Sequence, residues 1–154
     1  MVWSTFSSSE PELAQFVVDR LRNPPAYLAT IRRGGRPRVP PVTPIVTDDS
    51  LFVFMEATSP ELADLIARRH FALHTRVDDT AGTGGEALLT GTAESATDLA
   101  LRSHVADRAP YDPPDRYELV ELLPTEVKVS GYSDIALPSP QSWTLISDER
   151  ISQC

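Results

Sequence analysis

The stretch EATSPELADL (Glu56 to Leu65) follows the apolar run LFVFM and holds the residues best placed to do binding chemistry. A strand should end here and a helix begin, with Ser59 as N-cap and Pro60 at the first helical position. Helix N-termini attract anions because their free N–H groups and dipole point outward. Glu61, however, brings its own negative charge to the same place. The cations that could offset it are Arg32, Arg33, Arg36 and Arg38 around Gly34-Gly35, and Arg76 after His74. Arginine can grip a phosphate through two parallel hydrogen bonds. The ordinary reading of a basic hairpin tip is a set of solvated side chains.

Other patterns carry less chemistry. The loop AGTGGE lacks the Lys-Ser/Thr of a phosphate-binding P-loop and is followed by a strand pattern rather than a helix. His70 and His74 have the spacing of a helical metal pair, but the periodicity changes at Phe71, so a shared helical face is not expected. His74 on the polar side of a strand reads as a structural histidine, and His104 as a solvent-facing one. No Ser-His-Asp or Cys-His constellation can be assembled, since the serines lie outside a nucleophile-elbow pattern and Cys154 is at the end of the sequence. Hydrolase chemistry is therefore unsupported.

The bulk properties set the frame. The sequence has 154 residues, a size at which one domain can bury a sufficient core. A net charge of −8 is the wrong sign for a protein that neutralises nucleic-acid phosphates. Cys154 is the only cysteine, which excludes an internal disulfide and fits a reducing cytoplasm. No apolar run approaches the roughly 20 residues of a membrane-spanning helix, and the first residues lack a signal-peptide pattern. A soluble, cytoplasmic protein of one domain over residues 1–154 is expected.

The elements that must position these residues follow from periodicity. Ser9 and Glu12 form a capping-box pattern ahead of a helix over about Glu10 to Leu21. Asn23-Pro24-Pro25 stops it, and Ala26 to Arg33 reads as a strand. Gly34-Gly35 marks a hairpin, with Arg36 to Thr47 returning antiparallel. After Asp48-Asp49-Ser50, the continuous run LFVFM suggests a strand buried on both faces. The helix from Ser59 should end near His70, and Phe71 to Val77 alternates as a strand. EALLTGTAE is a further strand in which Gly91 marks a bulge or close backbone approach. Thr97 can cap a helix reaching Arg108, and APYDPPD is a connector. RYELVELL and TEVKVSGY read as two strands, while the segment from Asp134 to Cys154 is too mixed to assign. Hairpin runs with inserted helices imply an antiparallel barrel or sheet with peripheral helices, not a doubly wound parallel fold.

The series AYLATIRRGGRPRVPPV, LFVFMEATSPELADL, FALHTRV and GGEALLTGTAE resembles the pyridoxamine-5′-phosphate-oxidase-like flavoproteins, over Ala26 to Glu94. The resemblance implies a mainly β, α+β fold, the split antiparallel barrel of the FMN-binding type, with a core over about 26–132. It implies a homodimer with two flavin sites at the interface, and an oxidoreductase acting on an unknown small molecule. Val39, Val42 and Thr43 would line the flavin ring, and Ser59 would contact the phosphate. In the family a Ser-Arg-Lys or Ser-x-Lys pattern supplies positive charge at that turn; here the residues are Ser59-Pro60-Glu61. Two like charges a few ångströms apart repel by about 1 to 4 kcal/mol between aqueous and protein-surface dielectrics. Arg36, Arg38 or Arg76 would have to replace the missing lysine. A deazaflavin coenzyme is the variant implied by related families. The alternative is a split-barrel dimer without tight flavin binding, serving as a ligand-binding or interaction module.

Overall fold

The computed structural model describes residues 2–78, 84–131 and 135–146. Helices α1 (Val2–Ser9) and α2 (Pro11–Leu21) come first, followed by strand β1 (Ala26–Ile31) and the short strands β2 (Pro37–Arg38), β3 (Pro41–Val42) and β4 (Ile45–Val46). Next are β5 (Leu51–Glu56), α3 (Pro60–Arg68), β6 (His70–His74), β7 (Glu86–Ala96), α4 (Leu99–Ala106), β8 (Tyr117–Ser130) and β9 (Ser142–Thr144). Every strand pairing is antiparallel, in the order β2-β1-β6-β7-β8-β5-β4, with β3 also on β1 and β9 on β8. The sheet curls without closing through hydrogen bonds. Its ends, β3 and β4, are instead joined by the chain itself through Thr43 and Pro44. This is the split antiparallel barrel with peripheral helices that the sequence implied.

As its uninterrupted apolar run required, β5 is buried on both faces. Leu51, Val53 and Met55 enter the barrel core with Leu28, Leu73, Leu89 and Leu122. Phe52 and Phe54 enter a second cluster with Ile45, Leu119 and Val105 of α4. Burial of each such side chain contributes about 1.5–3 kcal/mol, so two cores share one strand as their wall.

Several boundaries differ from the sequence reading. The return strand expected over Arg36 to Thr47 is broken into β2, β3 and β4, because Pro37, Pro40, Pro41 and Pro44 lack the N–H a continuous ladder needs. The two strands expected at RYELVELL and TEVKVSGY are one strand, β8, with Pro124 inside it. A bulge accommodates the proline: Thr90 pairs with Glu126 but Gly91 with Pro124, so Thr125 is the extra residue. Gly91 makes this possible, since a Cβ there would overlap the Leu123 carbonyl oxygen and lie 2.8 Å from the Pro124 Cα. The expected bulge or close approach at Gly91 is thus both at once.

Helix α1 went unread because serine-rich VWSTFSSS lacks strong helical propensity. Tertiary contacts hold it instead. Trp3 packs edge-on against Phe6 at 5.4 Å, and Phe6 meets Trp143 at 5.0 Å. The Ser9 hydroxyl donates to the Phe6 carbonyl oxygen and does not cap α2; Glu10 takes the N-cap position without a side-chain cap bond. Asp98, rather than Thr97, caps α4, its Oδ1 accepting from the N–H groups of Ala100 and Leu101, and the helix ends at Ala106 rather than Arg108. α3 ends at Arg68, not near His70, because Arg69 turns left-handed at φ 62° while its carbonyl accepts from the Ala93 N–H at 2.7 Å. In the tail, β9 pairs Trp143 with Val127; Asp134 and residues 147–154, including Cys154, lie outside the described residues.

Two stability predictions follow from β7 and β8. Gly91→Ala must displace backbone, not a flexible side-chain tip, and should lower unfolding free energy by about 3 kcal/mol, measured by chemical denaturation. Glu121 on β8 is held above the ordinary carboxylate pKa by burial and by Glu94 directly opposite on β7. The folded state therefore keeps this proton to higher pH than the unfolded chain does, and stability declines as pH rises through that interval. Glu121→Gln should raise the melting temperature at neutral pH, with the gain fading on acidification below the unfolded carboxylate pKa.

Candidate functional site

The gap between β3 and β4 opens a cleft of about 420 Å³. It lies where the chain leaves the β1 edge and crosses to β5. Pro40, Pro41, Val42 and Thr43 form one wall, and Phe54 and Met55 the other. Ser59 and Glu61 at the start of α3, with Glu56, supply polar groups, and Tyr111 reaches in from the APYDPPD connector. The volume suits a small organic ligand. Burial, and secondarily Tyr117, holds the Tyr111 phenol above its ordinary pKa, so it is a neutral donor and acceptor at physiological pH.

The turn into α3 forms as its sequence dictates. Ser59 has extended backbone angles and its Oγ accepts from the Leu62 N–H at 3.3 Å, with Pro60 at the first helical position. Asp64, one turn along α3, is buried and faces the barrel wall. Its Oδ2 accepts from the Thr30 hydroxyl at 2.8 Å and pairs with the Arg38 Nε at 3.1 Å. That arrangement fastens α3 across β1 and β2.

Three of the expected site residues, Val42, Thr43 and Ser59, meet in the cleft. The other four do not line it. Val39 is 57% exposed between β2 and β3. Arg36 is exposed at the hairpin, where its carbonyl accepts from the Arg32 N–H. Arg38 serves Asp64. Arg76 pairs with Asp78 at 2.9 Å, donates to the Pro24 carbonyl, and lines a separate depression with Asp19, Arg20 and Asn23. Among the described residues, no lysine, arginine or histidine lines the cleft. The residues present fit a flat, largely apolar ring and do not fit a phosphate.

Sequence reading missed Phe54, Met55 and Tyr111. The first two looked like core and are, lining the cleft from the end of β5; for Tyr111 the only signal was an aromatic residue inside a proline-rich connector. His70 and His74 stand at opposite ends of β6, roughly 13 Å apart at strand rise. His74 instead faces Glu86 at 3.4 Å, and its Nδ1 lies 2.7 Å from the Thr75 carbonyl. His104 of α4 sits beside Arg108, which lies just past the helix end. Among the described residues, no group of three or more His, Cys, Asp or Glu is arranged to hold a metal. Ala81 to Thr83 of the AGTGGE loop lie outside the described residues. No described helix is long and apolar enough to cross a membrane.

No protein-family model matches the chain, and no curated protein matches it in sequence. Solved structures do. The heme storage protein HutZ from Vibrio cholerae superposes with a TM-score of 0.64 at 19% identity, covering 80% of this chain and 96% of that one. A heme binding protein from Mycobacterium smegmatis gives 0.66 at 16% identity over 86% of this chain, which spans only 57% of that protein. A pyridoxamine 5′-phosphate oxidase candidate from Listeria innocua gives 0.64 at 13% identity, covering 77% and 98%. The chain has the fold of these structures, a split antiparallel barrel.

Arg38 serves the scaffold, so its partner should matter to stability. Asp64→Ala leaves a buried hydroxyl and a half-buried guanidinium without their acceptor, and should cost about 2–4 kcal/mol in chemical denaturation. Arg38→Gln should leave ligand affinity unchanged in calorimetric titration.

Proposed function

We propose that this chain is a homodimeric split-barrel protein whose cleft takes the ring system of a flavin, FMN or a deazaflavin, in an oxidoreductase acting on a small organic molecule. The observation that carries this reading is the convergence of Val42, Thr43 and Ser59 with Phe54, Met55 and Tyr111 on one cleft. Redox chemistry would come from the bound ring, and the protein would orient it and exclude water. That accounts for the lack of a catalytic constellation among the described side chains.

A face of the barrel supports the dimer. Tyr27 and Ile31 on β1 and Leu88 on β7 are 44%, 36% and 38% exposed. Cross-strand pairing sets Tyr27 and Leu88 on either side of His74, next to the row of Ala29, Ala72 and Thr90, giving a mixed surface with exposed apolar side chains that a second copy could cover. Heme, which two of the neighbours bind by name, has less support here, because the cleft offers no histidine to an iron.

The acidic mouth of the cleft favours a second reading, a dimeric ligand-binding module without tightly held flavin. Sedimentation of the purified protein should give a dimer mass. Titration with riboflavin and FMN, followed by flavin fluorescence, separates the two readings. Saturable quenching by either flavin supports the first; its absence up to high micromolar concentration, with a matching negative result for a deazaflavin, leaves the second.

A further inference from the structure

We infer that the cleft discriminates against phosphate, so that it takes a flavin ring better as riboflavin than as FMN. This rests on the reading of the cleft as a flavin-ring site. A helix start grips phosphate through free N–H groups, and a nearby cation strengthens the grip. The start of α3 has few of the former. Pro60 carries no N–H, the Leu62 N–H is taken by the Ser59 Oγ, and the Ala63 N–H by the Ser59 carbonyl at 3.3 Å. What is left is the N–H of Glu61, an acidic residue that itself lines the cleft.

Two of the three candidate cations are engaged elsewhere, and Arg36 stands exposed at the hairpin, outside the cleft. Arg38 pairs with Asp64 and Arg76 with Asp78, while Arg68 donates to the Ile31 carbonyl. Arg116 pairs with Glu56 at 3.3 Å, but it is an exposed pair on the rim and Arg116 does not line the cleft. Exposed pairs of this kind are weak. Glu61 is half-buried and forms no ion pair among the described residues. A phosphate dianion entering beside it meets like charge where solvent screens incompletely, which is worth about tenfold or more in Kd.

Riboflavin and FMN share their ring and ribityl chain and differ in the phosphate, so the ratio of their affinities isolates this effect. General damage to folding acts on both ligands and cancels. The test is titration of the full-length wild type, Glu61→Gln and Glu61→Lys with each flavin at low and high salt. Wild type should bind riboflavin about tenfold or more tightly than FMN at low salt, with the gap narrowing as salt screens the carboxylate. Glu61→Gln should shrink the ratio, and Glu61→Lys should invert it. Tighter binding of FMN by the wild type, or the same ratio in Glu61→Lys, overturns the inference while leaving the ring site standing. Failure of both flavins to bind any of the three proteins overturns the inference, and a matching negative result for a deazaflavin overturns the ring site with it.

Discussion

Four prolines between residues 37 and 44 remove hydrogen-bond donors from the segment that would otherwise close the barrel. Antiparallel closure needs an N–H at every second residue of each strand. Pro37 and Pro41 can occupy an edge on β1, where only their carbonyls are required, and the Pro40 carbonyl accepts from the Leu28 N–H at 3.0 Å. After Val42 the ladder stops. The chain crosses at Thr43 and Pro44 and resumes on β5 as β4, so the barrel is joined covalently there and open to a ligand. The cleft, the position of Thr43 and the access to Phe54 and Met55 all depend on that break.

The opposite wall must be correspondingly firm. β7 and β8 pair over eleven positions, from Glu86 with Ser130 to Ala96 with Leu119, and the bulge at Gly91 lets this ladder continue past Pro124. β5 pairs along six residues of β8 and separates two apolar clusters, which fixes its register. A one-residue slip would exchange Leu51, Val53 and Met55 with Phe52 and Phe54 between clusters of different shape. The buried Asp64 then sets α3 against β1 and β2 and, through it, the place where Ser59 and Glu61 meet the cleft.

The charge of the site follows from how these supports are shared. Arg38 lies close in sequence to the cleft wall, yet its guanidinium balances Asp64, which is only 6% exposed and would otherwise carry an uncompensated charge. A cation that serves the scaffold is not available to an anionic ligand. Glu61 favours the helix dipole as any acidic residue in a first turn does, and in doing so places negative charge at the mouth of the cleft.

Local chemistry was legible in the residues themselves. Ser59-Pro60 had to start a helix, LFVFM had to be a two-faced strand, Gly34-Gly35 had to turn and Gly91 had to mark a bulge or a close backbone approach, because each is a property of a few adjacent residues. The lack of a basic residue in Ser59-Pro60-Glu61 was equally plain. What crosses the chain was not: that Thr97 would yield its cap to Asp98, that serine-rich VWSTFSSS would be helical under Trp143, or that β8 would run unbroken through Pro124. Nor could spacing separate Arg38, drawn to Asp64 of α3, and Arg76, drawn to Asp78, from Val42 and Thr43, which reach the cleft. Sequence determined which segments form and what charge they bring. Tertiary structure alone decided which charges neutralise one another and which remain facing the cleft, because ion pairing and burial depend on distances between segments that local periodicity does not encode.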